Sequence, residues 1–137
     1  MATHRKKSGW PEPFLRAKEF LEPIALAGGF RFVLTEQEED GRNAFAEYRR
    51  PNELLRLVWE GTDGVLWLEA ARERDAQLIG RWTDIEWILA GRRLPLNPDA
   101  GDERIAELVS ALAEYLDRGA RAPLVSTLTQ AEPDGND

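Results

Sequence analysis

The sequence predicts an α+β domain: an N-terminal helix, a four-stranded antiparallel β-meander and two C-terminal helices packed on the sheet. Three observations predict it. Apolar runs of strand length between residues 30 and 70 are broken by turn chemistry. The segments on either side repeat their apolar residues at helical spacing. A chain of 137 residues, 42% hydrophobic and 31% charged, has the length and composition of one folded domain with one core.

The first helix is read over residues 11–27, PEPFLRAKEFLEPIALA. Its two early prolines suit a helix start, and Phe14, Leu15, Leu21 and Ile24 recur at roughly helical spacing. Gly28 and Gly29 end it, and Pro23 inside the pattern predicts a kink or break near Glu22.

Residues 30–37, FRFVLTEQ, alternate as a half-buried strand with Phe30, Phe32 and Leu34 on one side. The turn residues that follow lead to a second strand, NAFAEYRR at 43–50, whose inward face is ambiguous because Phe45 and Tyr48 differ in parity. Arg49-Arg50-Pro51-Asn52 makes the next break, since proline cannot donate to a strand ladder.

The stretch LLRLVWEGTDGVLWLEA, residues 54–70, is a hairpin around Gly61–Gly64. With all four residues in the loop, Glu60 faces Val65, Trp59 faces Leu66, Val58 faces Trp67, Leu57 faces Leu68 and Arg56 faces Glu69. A three-residue loop mixes charge into the apolar face, because a slip of one residue reverses every side chain. The four-residue register assigns Trp59 to the core face and Trp67 to the opposite one.

After Arg72 the pattern fades, with Gln77–Gly80 readable as a loop or as a short fifth strand. WTDIEWILAG, residues 82–91, reads as a helix in which Thr83 and Glu86 have capping-box spacing and Trp82 and Trp87 occupy the staple positions around it. The clearest amphipathic helix follows, with Ile105, Leu108, Val109, Leu112 and Leu116 on one stripe. Asp99 or Asp102 is expected to cap it and Gly119 to end it. The organisation expected is a basic flexible tail at 1–10, a single domain at 11–119, and a partly disordered acidic tail at 120–137.

Composition removes several classes of function. Without cysteine there is no disulfide, thiolate metal site or thiol nucleophile. His4, the single histidine, cannot build a multi-histidine metal site. No nucleophile elbow, phosphate loop, zinc-protease or calcium-loop motif is present, so no catalytic residue, metal site or cofactor is assigned. Asp84 and Glu86 are accounted for by the first turn of a helix, and Glu38, Glu39 and Asp40 by a solvated turn. Arg49-Arg50, Arg92-Arg93 and the basic residues at 4–7 invite a nucleic-acid reading, which the net charge of −7 opposes. No segment has the length and apolarity of a membrane span or signal peptide, which makes a cytoplasmic location the default expectation.

The strongest functional signal is the second face of the sheet. In the favoured register it carries Arg56, Val58, Glu60, Val65, Trp67 and Glu69, an aromatic and two valines with a charged rim, as binding surfaces do. Covering of Trp67 by a helix or tail is the alternative. The order of a helix ending in GGFRF, a meander containing LRLVWEGTDGVLWLEA and a helix opened by WTDIEW resembles small bacterial α+β proteins, some of them of the toxin-immunity type. The resemblance covers about residues 12–116 in order of elements only and transfers no functional residue. It implies a non-enzymatic module binding a protein partner, which the acidity of this chain would make a basic one. The competing expectation is a small-molecule binder or hydrolase using carboxylates such as Glu47 or Glu69 in a pocket between sheet and helices. That expectation requires a buried carboxyl group with a raised pKa in a concave site.

Overall fold

The computed structural model describes residues 10–38 and 42–121, with side chains described as far as Arg118. The expected tails, His4, Glu39 and Asp40 lie outside those residues, except Trp10 and the backbone of 120 and 121. The elements are α1 (Glu12–Ala27), β1 (Arg31–Gln37), β2 (Asn43–Arg50), β3 (Glu53–Glu60), β4 (Val65–Arg74), β5 (Gln77–Asp84), α2 (Ile85–Ala90) and α3 (Asp102–Arg121). The strands form one antiparallel sheet in the order β1-β2-β3-β4-β5.

The sheet therefore has five strands where four were expected. Gln77–Asp84 is a full strand that includes Trp82 and Thr83, residues read from sequence as the entrance of a helix. Its pattern was illegible because β5 is an edge strand whose first five residues are mostly exposed, so no apolar alternation marks it, and its ladder with β4 is irregular between Ala70 and Arg72.

The β3–β4 register is the one predicted: Arg56 pairs with Glu69, Val58 with Trp67, Trp59 with Leu66 and Glu60 with Val65. Gly64 closes the loop by donating its amide to the Glu60 carbonyl at 2.9 Å with φ of 68°, a conformation that suits glycine. One face of the sheet then presents Ala44, Ala46, Tyr48, Leu55, Leu57, Leu66, Leu68 and Ala70, all buried. This settles the inward face of β2: Tyr48 and the two alanines point to the helices, and Phe45 points away.

Against this face pack Phe14, Ala17, Leu21 and Ala25 of α1 and Ile105, Leu108, Leu112 and Tyr115 of α3. Both helices place a largely apolar stripe on the sheet. Replacing a side chain as buried as Leu66 or Leu108 by alanine removes about 2–5 kcal/mol of stability. Trp59 lies on the core face as predicted but is only partly buried at its margin.

Three local expectations are corrected. Helix α1 runs unbroken through Pro23, which lies exposed on its outer side. The bulge between Phe32 and Leu34 puts these two residues on opposite faces, so Phe30, Phe32 and Leu34 do not share one, and β1 is an exposed edge strand. Helix α3 continues past Gly119 to Arg121.

Candidate functional site

All the described helices contact the sheet from the Leu55–Leu57 side or at its β5 end. On the other face the ladders align one row across four strands: Glu47 of β2, Arg56 of β3, Glu69 of β4 and Asp84 of β5. Alternating charge along the first three positions is the arrangement that cross-strand pairing favours.

Arg56 is the centre of this row. Its Nη2 is 3.0 Å from Glu47 Oε1 and its Nη1 is 3.7 Å from Glu69 Oε2. The guanidinium carbon lies 4.3 Å from the centroid of the Phe45 ring and 4.0 Å from that of Trp82. Two aromatic faces and two carboxylates thus fix the cation in one position. Trp67 stands in the next row and donates its indole N–H to Glu69 Oε1 at 2.9 Å, so its ring is held in a defined orientation. Burial is the main reason the Glu69 carboxyl is pushed above its ordinary pKa, against the opposing effects of the Trp67 hydrogen bond and Arg56.

The six residues singled out from sequence, Arg56, Val58, Glu60, Val65, Trp67 and Glu69, do share this face. They are not equally accessible. Val65 is 3% exposed and offers no contact area, whereas Arg56, Val58, Glu60, Trp67 and Glu69 are half-buried. Phe45, Glu47 and Trp82 belong to the same surface and were missed. Phe45 and Glu47 depended on the unresolved parity of β2, and Trp82 on the unrecognised fifth strand.

Asp84 ends the row and begins α2. Its Oδ1 accepts the Glu86 amide at 2.8 Å, so Asp84 is the N-cap and the expected Thr83–Glu86 capping box does not form. The Glu86 carboxylate turns to Arg104 of α3 instead, meeting Nη1 at 2.9 Å and Nη2 at 2.7 Å. Arg104 is 2% exposed and also donates from Nη2 to the Leu66 carbonyl at 2.9 Å and from Nη1 to Glu107 at 2.9 Å. One buried guanidinium thereby ties β4, α2 and α3 together. The sequence held a signal for it, since Arg104 lies four residues before Leu108 on the buried stripe of α3. The two indoles expected to form a staple go to different partners, Trp82 to Arg56 and Trp87 to the Leu94 carbonyl.

Asp84, Glu86, Asn97, Arg104 and Glu107 line a cavity of about 270 Å³. Burial is the largest cause that pushes the Asp84 carboxyl up to about 7; the neighbouring charges of Glu86 and Glu69 add to it, and the Glu86 amide and Arg104 oppose it. The carboxylates named from sequence are placed differently. Glu47 and Glu69 face away from the helices and lie outside this cavity.

Among the described residues no group of three or more histidine, aspartate or glutamate side chains is arranged to hold a metal ion. No helix among them is long and apolar enough to cross a membrane. Comparison with protein-family models, with curated proteins and with solved structures finds no match.

Proposed function

We propose that this chain is a non-enzymatic protein-interaction module that binds a basic protein through the helix-free face of its sheet. The observation that carries the reading is the oriented Trp67 indole beside the Arg56 cluster, half-buried on a face with no described helix over it. Rigid aromatics and arginine surrounded by charge are the usual anchors of protein interfaces. The ladder positions of this face carry six carboxyl groups, Glu36, Glu47, Glu60, Glu69, Glu73 and Asp84, against three arginines, Arg31, Arg49 and Arg56. With the net charge of −7, that excess favours a positively charged partner and disfavours nucleic acid. Neutralisation of a basic toxin by a cytoplasmic bacterial immunity-type protein is the particular role that fits this charge and the resemblance in element order.

Affinity purification from native cells at low and at high salt tests this reading. It predicts one basic protein in stoichiometric amount, weakened by salt and by Glu60→Lys. Recovery of the chain alone at every salt concentration contradicts it.

One observation favours a second reading, a small-molecule binder or hydrolase. Asp84 is 8% exposed, its carboxyl is pushed up to about 7, and it lines a cavity with a buried arginine. In that reading Asp84→Asn abolishes ligand binding or turnover while leaving the fold intact.

A further inference from the structure

At the end of the sheet opposite the Gly61–Gly64 loop, Arg31 of β1 and Arg49 of β2 are direct cross-strand partners. Their side chains leave the same face at adjacent positions, roughly 5 Å apart at Cβ, where like charges destabilise a sheet. The compensation within the fold is incomplete. Glu73 Oε2 lies 3.1 Å from Arg49 Nη2, while Arg49 Nε is buried without a hydrogen-bond partner. Arg31 is exposed, and its guanidinium has no ion pair among the described residues.

Arg50 turns to the opposite face, where it is fixed by Glu53, by the Gly28 carbonyl at 2.6 Å from Nη1, and by the Phe30 ring 4.5 Å away. All three arginines nevertheless line one cavity of about 290 Å³, together with Asn52 and the single carboxylate Glu73. With Glu53 paired to Arg50 and Glu73 to Arg49, three arginines face two carboxylates, an excess of positive charge that reverses the balance in the chain as a whole.

We propose that this cavity is an anion site that takes a phosphate group, either free phosphate or the head of a small phosphomonoester. Arg31 and Arg49 present neighbouring planar donor forks, a geometry that suits a tetrahedral oxyanion with several acceptor oxygens. Arg50, anchored and neutralised by Glu53, forms a fixed wall behind them. The cavity is at the small end of ligand sites, which fits a phosphate with a modest appendage. An anion bound there relieves the Arg31–Arg49 repulsion, so occupancy stabilises the β1 edge of the sheet. The site uses none of the residues at 56, 58, 60, 65, 67 and 69, and it stands or falls separately from partner binding.

Titration of the protein with inorganic phosphate and with phenyl phosphate, at constant ionic strength against chloride, tests the site through the NMR signals of the Gly29, Arg31 and Asn52 amides. Saturable shifts centred on these residues are expected. Tighter binding of phenyl phosphate identifies a monoester site, and equal or weaker binding identifies a free-phosphate site. Arg31→Ala is expected to weaken binding about tenfold or more. Glu73→Gln is expected to tighten it several-fold by removing the competing carboxylate, an effect that a loss of folding does not imitate. Shifts that fail to saturate or that chloride reproduces overturn the proposal, and so does a Glu73→Gln variant that binds no more tightly.

Discussion

Arg56 and Glu69 face each other across β3 and β4, with Nη1 3.7 Å from Oε2, and the same glutamate holds the indole N–H of Trp67 at 2.9 Å. One carboxylate thus links the cation to the aromatic that defines the proposed recognition surface. Arg56 is half-buried, so its removal leaves Glu47 and Glu69 without their counter-charge in a partly desolvated place. Arg56→Met is expected to cost about 2–4 kcal/mol in urea unfolding. Adding Glu69→Gln to it should restore part of that loss, because one of the two stranded charges is then gone. Strict additivity of the two substitutions contradicts this coupling.

Asp84 gives the protein a pH dependence of defined sign. Its carboxyl titrates near 7 in the folded protein and near the ordinary carboxyl value when unfolded, so the folded state holds more protons between those values. Its contribution to stability therefore falls as pH rises from about 4 to about 7 and is level above that. Asp84→Asn keeps a competent N-cap and removes the buried charge. The variant should melt higher than the wild type at pH 8, with the difference vanishing toward pH 4. A difference of the same size at both pH values contradicts the assignment.

The Gly61 position tests the packing of the β3–β4 loop. A Cβ there collides with the Arg42 carbonyl oxygen, a backbone atom that cannot swing away, and meets the Trp59 Nε1 at 3.2 Å. The Gly61 amide also donates to Asn43 Oδ1 at 2.9 Å. Gly61→Ala is expected to cost about 1–3 kcal/mol by overpacking. An unchanged midpoint in chemical denaturation is inconsistent with so close an approach.

Tyr115 donates its hydroxyl to Glu53 Oε2 at 2.6 Å, with both residues buried. Tyr115→Phe leaves that carboxylate with Arg50 as its described partner, and a loss of about 1–3 kcal/mol is expected. Retention of full stability shows that Glu53 is satisfied by Arg50 alone.

The legible part of this molecule was the part with simple periodicity. The β3–β4 hairpin was readable because only an even loop keeps Leu55, Leu57, Leu66 and Leu68 on one face, and α3 because its apolar stripe is long. Where a bulge resets the alternation, reading by parity fails, as at Phe32–Leu34. The exposure of the β5 edge hid that strand, and with it Trp82 as the lid on Arg56 and Asp84 as the helix cap. The capping-box spacing of Thr83 and Glu86 misled for a tertiary reason. Glu86 satisfies a buried arginine 18 residues further on, a demand that no local pattern expresses.

Quantitative affinity purification from native cells of the wild type and of Trp67→Ala, with melting temperatures checked to be equal, bears most directly on the role of this sheet face. A basic partner retained by the wild type and lost from Trp67→Ala is the result predicted. Equal recovery of that partner by the two proteins contradicts it.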